Sequence, residues 1–405
     1  MQKVIGPIPT VPMRMSKHHM HIGNAVREIG IFCFHPLVSP IPSHFPEIPM
    51  EKTALIAMSG GVDSSVAALL THEAGYRCLG CNMRLVQNEE APADARTCCS
   101  LEDAEDARSV ARRIGIPFQV FNFTADFDEA VVRRFVSCYE NGGTPNPCLD
   151  CNRYLKFDRL MRRADELGYE YVVTGHYAVI DRDARGKYHL KKAPDPTKDQ
   201  SYFLCCLTQA QLERTLFPLG GMQKAEVRKI AEAHGFFNAK KRDSQDICFV
   251  PDGDYAAFLR RYTGRDYPAG DFILADGRVV GRHRGIVHYT VGQRRGLGVA
   301  WSEPLYVVKK NLADNTITLG REEDLYVREF DAVDFNWVSG EVPAGPIRCM
   351  AVTRYHQKET PATVTPTGGR TVRIAFDEPH RAVTAGQAAV LYDGDDLLGG
   401  GTIAI

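Results

Sequence analysis

The run Ser59-Gly60-Gly61-Val62-Asp63-Ser64-Ser65 joins two glycines, three serine hydroxyls and a carboxylate just ahead of a stretch with helical spacing. Glycines allow a backbone to approach an anion closely, N–H groups at a helix start point at it, and small hydroxyls add donors, so the run suits a pyrophosphate. Asp63 is a candidate to hold magnesium beside the phosphates. A plain strand-to-helix turn would explain the glycines but not their company. Sulfur forms the second constellation. Cys148 and Cys151 lie in Thr144-Pro145-Asn146-Pro147-Cys148-Leu149-Asp150-Cys151-Asn152, where two prolines stiffen the chain ahead of a helix whose N–H groups favour thiolate. Far along the chain, Cys248 stands in Asp243-Ser244-Gln245-Asp246-Ile247-Cys248-Phe249. For Cys33, Cys78, Cys81, Cys205, Cys206 and Cys349, burial as a small hydrophobe is the expectation.

These residues need a frame that carries phosphate and thiol chemistry to one place. Ala54 to Met58 reads as a buried strand, and Val62 to Ala74 as a helix closed by Gly75. A strand near Arg77 to Asn82 follows, then a helix from Leu101 to Ile114 capped by Ser100 with Asp103 in box position, and a strand at Phe118 to Phe123. Helices fit Asp126 to Tyr139 and Lys156 to Leu167, before a strand at Tyr171 to Thr174. Such alternation predicts an α/β fold with a doubly wound, mostly parallel Rossmann-like sheet. Beyond about Tyr267 the helical period gives way to alternating runs between turn signals, which predicts an all-β remainder. The expected division is a catalytic domain at 50–266, a small β-rich domain at 267–320 and a C-terminal β-barrel at 321–405. Residues 1–49 carry eight prolines and no sustained period, and are expected to be a disordered extension or a mis-called start ahead of Met50. They are too proline-rich and too weakly amphipathic for a transit peptide.

Composition narrows the classes. With 405 residues and 44% hydrophobic content the chain can bury several cores. Lys and Arg (49) balance Asp and Glu (50), so no global field draws the protein to nucleic acid, and any such site must be a local patch. Candidate patches are Lys224/Arg228/Lys229, Lys240-Lys241-Arg242, Arg282/Arg284 and Arg294-Arg295. No run approaches the roughly 18 apolar residues of a membrane-spanning helix. Twelve cysteines in so long a chain read as reduced thiols of a cytoplasmic protein.

The phosphate run lacks the Gly-Lys-Ser/Thr of a Walker site and resembles the ATP-pyrophosphatase loop, whose enzymes cleave ATP between its α and β phosphates and adenylate a substrate. Together with Thr-Pro-Asn-Pro-x-x-x-Cys-Asn, the motifs Thr174-Gly175-His176-Tyr177, Lys198-Asp199-Gln200-Ser201-Tyr202, Asp243-Ser244-x-x-Ile247-Cys248-Phe249 and Gly292-Gln293-Arg294-x-Gly296-Leu297-Gly298 fall in the order seen in bacterial tRNA-specific 2-thiouridylases. The resemblance runs from about Lys52 to the C-terminus. It implies ATP-dependent sulfuration at C2 of the wobble uridine in tRNAs for Lys, Glu and Gln, with Cys151 as nucleophile and Cys248 as persulfide carrier, the two joining as a disulfide in the cycle. It further implies ATP contacts at Ala57, Met58, Ser59, Gly60, Gly61, Val62, Asp63, Ser64, Met83 and Gly175. Target-base contacts would fall at Asn146, Pro147 and Cys148, and tRNA contacts at His176, Lys198, Asp199, Gln200, Arg354, Tyr355 and Gln387. The implied partners are tRNA and a sulfur donor protein, either a cysteine desulfurase or a relay protein. Cys148 departs from the pattern, because many members carry Asp there. Either it is a tolerated replacement, or Cys148, Cys151 and Cys248 ligate a 4Fe-4S cluster with one open iron. Two rival functions stand beside this one. A pyrophosphatase-loop ligase for a small metabolite leaves the cysteine motifs unexplained, and a non-catalytic iron-sulfur or RNA-binding protein leaves Ser59 to Ser65 idle.

Overall fold

Thr53–Ala57 (β1) is almost wholly buried, as befits an interior strand of a parallel sheet covered on both faces. In the computed structural model, which describes residues 51–86, 101–241 and 247–404, β1 leads through a short loop into the helix Val62–Glu73 (α1). The expectations for residues 1–49, the Ser100 cap, and Arg242 with Asp243 to Asp246 lie outside the described residues. Next come Arg77–Arg84 (β2), Leu101–Ile114 (α2), Phe118–Asn122 (β3) and Tyr171–Val173 (β4), then the hairpin Val179–Arg182 (β5) and Tyr188–Lys191 (β6), and Thr215–Leu216 (β7). One sheet runs in the order β3-β2-β1-β4-β7 with every pairing parallel. The strand order reverses between β1 and β4, which opens a crevice at their carboxyl ends. Register pairs Ile56 with Val173, so the loops leaving both strands emerge side by side.

Two helices differ from the sequence expectation, and both carry π-helical turns. The first runs from Thr124–Phe127 through the π-helical Asp128–Val132 to Arg133–Glu140. The second, expected from Lys156, instead begins at Pro147–Asp150, continues π-helically over Cys151–Arg159, and ends as Leu160–Leu167. Local chemistry sets this earlier start: Pro147 needs no donor in the first turn, and the Asn146 side chain accepts the Leu149 N–H at 3.4 Å. Gly168, in the left-handed conformation (φ 73°), ends it.

The remainder is β-rich, as expected. Gly270–Ile273 (β8), Val279–His283 (β9), Tyr306–Asn311 (β10) and Thr316–Gly320 (β11) form a four-stranded sheet. Tyr326–Trp337 (β12), Ile347–Val352 (β13), Thr360–Gly368 (β14), Thr371–Arg381 (β15), Ala388–Asp393 (β16) and Asp396–Ala404 (β17) follow, and because β12 pairs with both β15 and β17 they close into a barrel. One residue pair, Asp396 with Lys191, joins β17 to the β5–β6 hairpin. Side chains make the union firmer. A single core holds Leu55, Val172 and Leu160 of the parallel sheet and its helix together with Val338, Val352 and Val390 of the barrel.

Candidate functional site

The phosphate loop sits at the crevice. Gly60 takes φ +79°, and a Cβ there would collide with the Asp103 carbonyl oxygen of α2, so glycine is required on both counts. No side chain caps α1, whose N-cap is Gly61, so the N–H groups of its first turn stay available to an anion. The loop is internally braced: Ser59 N–H donates to Ser64 Oγ (3.2 Å), while Ser64 and Ser65 hydroxyls donate to the Gly61 carbonyl (3.0 and 2.9 Å). Asn238 spans it from below, its Nδ2 donating to Gly60 O (3.0 Å) and Ser65 Oγ (2.9 Å). Asn82 Nδ2 donates to Met58 O at 3.0 Å, which ties the loop's first turn to β2. From β4, Gly175 backs onto α1 so closely that a Cβ would lie 2.8 Å from Ser64 N. Ala57 to Ser64 and Gly175 are therefore brought together, and Met83 lies one strand away on β2.

Asp63 was expected to be available for magnesium. Instead its two carboxylate oxygens lie 2.8 and 2.7 Å from Lys224 Nζ, and Oδ1 also accepts the Tyr177 hydroxyl at 2.7 Å. Three of its acceptor positions are taken by a fixed cation and a fixed donor, so its charge is already neutralised from within the protein and magnesium would have to share it with Lys224. Lys224 itself, grouped in the sequence with Arg228 and Lys229 as a basic patch, is buried and belongs to the phosphate loop.

The thiols divide by environment. Cys78, Cys81, Cys205, Cys206 and Cys349 are buried, as expected, and burial pushes their thiols up, to about 11 for Cys78 and Cys206 and about 12 for Cys349. They stay protonated and inert. Cys33 lies outside the described residues. Cys148 is exposed, whereas Cys151 and Cys248 are half-buried against one apolar cluster built on Phe135, Leu155 and Phe249. Met83, on the strand beside β1, packs on the same cluster. Cys151 opens the π-helical segment, a wider turn that recurs at functional sites. Among the described residues no group of three or more His, Cys, Asp or Glu side chains is gathered to hold a metal ion, and of the three cysteines in the cluster alternative Cys148 is exposed while Cys151 and Cys248 are half-buried.

The cysteine segment is anchored from the barrel side. Thr144 N–H donates to Ala385 O at 2.8 Å, and Gln387 Nε2 donates to the carbonyls of Thr144 (3.0 Å) and Pro145 (3.3 Å). Beside this anchor opens a cavity of about 460 Å³, lined by Arg134, Cys138, Asn146, Asp150, Gly386 and Thr402. Asp150 forms an ion pair with Arg134 at 3.3 Å, although burial still holds its carboxyl above the ordinary range. Asn146, expected at the target base, lines this cavity, whereas Pro147, expected there too, is buried in the first turn of its helix.

Several residues expected to touch tRNA have their polar groups engaged inside the fold. His176 is buried, its Nδ1 2.7 Å from Thr174 Oγ1 and its Nε2 3.4 Å from Lys156 Nζ, and burial with the nearby Lys156 charge drives it well below the ordinary histidine range. Gln200 exchanges bonds with the Tyr177 backbone, accepting from its N–H at 3.0 Å and donating its own N–H to the Tyr177 carbonyl at 2.9 Å. The Asp199 carboxylate accepts from Ala193 N–H and Ser201 Oγ, and its carbonyl accepts the Tyr355 hydroxyl at 3.0 Å. Gln387 is the anchor just described. Arg354 is exposed and Lys198 half-buried. Of the basic clusters, Lys241 pairs with Asp103 and Asp106, and Arg282 with Asp271, while Lys229, Lys240, Arg284, Arg294 and Arg295 are exposed. Tyr177, Lys224 and Asn238 are the site residues the sequence did not reveal. Only Tyr177, inside the Thr174 to Tyr177 motif, carried a signal.

Comparison with known proteins places this geometry in a lineage. Residues 52–252 match the family model described as tRNA methyl transferase HUP domain, 256–321 the tRNA methyl transferase PRC-barrel domain, and 327–403 the aminomethyltransferase beta-barrel domain. The tRNA-specific 2-thiouridylase MnmA of Clostridioides difficile (strain 630) is 46% identical over 355 residues, covering 87% of this chain and 98% of that protein. Its counterpart from Solibacter usitatus (strain Ellin6076) is 47% identical over 368 residues, covering 87% and 99%. Among solved structures, a 4-thiouridine synthetase–RNA complex with bound ATP is 20% identical at a TM-score of 0.34, covering 49% of this chain and 45% of that one, a partial likeness that adds nothing to these matches. With relatives this similar along nearly their whole length, the chain belongs to the family of tRNA-specific 2-thiouridylases.

Proposed function

We propose that this protein uses ATP to replace the C2 oxygen of the wobble uridine of tRNAs for Lys, Glu and Gln with sulfur. The observation that carries the reading is the convergence of Cys151 and Cys248, far apart in sequence, on one apolar cluster shared with Met83 beside the phosphate loop. A small-metabolite ligase leaves the two thiols unexplained, and a non-catalytic iron-sulfur or RNA-binding protein leaves the phosphate loop beside them idle.

The uridine O2 is a poor leaving group, so it first attacks the α-phosphorus of ATP. Pyrophosphate departs, and O2 carries AMP. The N–H groups that open α1, from Val62 to Ser64, hold the departing pyrophosphate, and magnesium would be carried in as the counter-ion of the nucleotide. A persulfide sulfur on Cys248 then attacks C2, and AMP leaves with the electron pair of its C2–O bond. The Cys151 thiolate attacks Cys248 Sγ, the S–S bond to the transferred sulfur breaks, and that sulfur keeps the electron pair. The products are 2-thiouridine and a Cys151–Cys248 disulfide, which a thiol reductant reopens and a sulfur donor, a cysteine desulfurase or relay protein, recharges. Asn146, Pro147 and Cys148 face the target base in this reading, with Cys148 a tolerated replacement. Lys198 and Arg354 contact the tRNA. The catalytic domain takes residues 50–266, the linking domain 267–320 and the barrel 321–405.

Mass spectrometry of nucleosides from tRNA incubated with the protein, ATP, magnesium and a sulfur source tests the reading. The expected product is 2-thiouridine, with pyrophosphate release that depends on tRNA; release driven by a small metabolite instead would overturn it.

A further inference from the structure

Asp63 poses an electrostatic problem. It lies in the first turn of α1, where phosphates would meet the helix N-terminus, and a bare carboxylate there repels them. A rigid group of neighbours answers it. Lys224 Nζ reaches both carboxylate oxygens at 2.8 and 2.7 Å with its side chain only 11% exposed. It is the first residue of the helix Lys224–Ala233, and its backbone N–H donates to Asp195 Oδ2 at 3.2 Å, which fixes where the side chain starts. Tyr177 supplies the third bond, and Gln200 holds the Tyr177 backbone through both its N–H and its carbonyl. Magnesium at this carboxylate would have to share it with a lysine that is anchored behind it and already offsets its charge.

We propose that Lys224 is a positioning residue that serves as the resident counter-cation of the phosphate loop, neutralising Asp63 so that ATP binds without a protein-held metal. The inference rests on the ATP reading above. It assigns Asp63 to holding the lysine and the loop, and it leaves magnesium to the nucleotide.

Equilibrium binding of ATP to the full chain, in EDTA and in magnesium, tests it with K224M, K224R, D63N and the D63N/K224M double variant, each checked by thermal melting. Wild type is expected to bind in both conditions, and absence of binding in both would overturn the ATP reading together with this proposal. K224M exposes the carboxylate and should weaken binding in EDTA by about tenfold, while D63N/K224M, which removes the carboxylate as well, should recover most of that loss. K224R keeps the charge and should bind as wild type does. Should K224M fail to fold because it leaves a buried charge unpaired, K224R and D63N/K224M carry the comparison, both with near wild-type affinity in EDTA. Wild-type binding accompanied by a double variant as weak as K224M, or a D63N variant that loses only the magnesium-dependent part of its affinity, would overturn the counter-cation role and leave the ATP reading standing.

Discussion

At the level of single residues, chemistry divides between groups that react and groups that are merely sulfur. Burial keeps Cys81 and Cys205 protonated, whereas Cys151 and Cys248 are only half-buried. Cys151→Ser and Cys248→Ser should each abolish 2-thiouridine formation, by at least about a hundredfold, while ATP affinity stays at the wild-type level. Full activity in either variant would remove the persulfide relay. Much of this was legible in the sequence, because a phosphate loop and two cysteine motifs are local patterns. The groups that tune them were not. Lys224 reads as one more basic residue in a solvated helix, and Asn238 gives no signal at all, because their roles depend on side chains that arrive from distant positions in the folded chain.

The elements explain how local patterns acquire precise positions. β1 and β4 deliver the loop and Gly175 to the same crevice, and the fit leaves no room for a side chain at Gly60. Gly60→Ala combines an unfavourable φ with a backbone collision, so it should cost on the order of 1–3 kcal/mol in unfolding free energy and remove ATP binding, measured by urea melts and nucleotide titration. The parallel sheet was foreseeable from βα alternation, but the start of the helix at Pro147 was not: helical spacing became visible only at Lys156, where apolar positions recur, and the π-helical turn from Cys151 blurs the period before it. His176, just after β4, shows burial acting on charge. It is neutral in the fold, whereas in the unfolded chain it takes up a proton below its ordinary value of 6.5. Stability from this group is therefore full above that pH and falls as pH drops below it, by up to about 1.4 kcal/mol per unit. Urea unfolding at pH 7.5 and 5.5 should show a steeper loss for wild type than for His176→Asn; equal slopes would mean that His176 is charged in the fold.

For the whole molecule, near-neutral net charge means that RNA must be held by a few exposed cations, since several basic residues are spent on internal ion pairs. Arg294 and Arg295, adjacent and both exposed in the stretch that matches the PRC-barrel model, are candidates to add to the Lys198 and Arg354 contacts proposed above. Reversing both to Glu should weaken tRNA binding by about tenfold or more and flatten its salt dependence, leaving ATP affinity unchanged. Affinity indifferent to both changes would move the RNA path elsewhere. The all-β character of the last third was readable from its alternating runs, but its grip on the cysteine segment was not, since Gln387 is an ordinary polar residue in sequence. That grip imposes an order on synthesis. The ribosome makes the phosphate loop, Cys151 and Cys248 well before Ala385 and Gln387 emerge to secure Thr144 and Pro145. A chain that ends before Ala385 therefore lacks the three hydrogen bonds that hold Thr144 and Pro145, the segment that leads into Cys148 and Cys151.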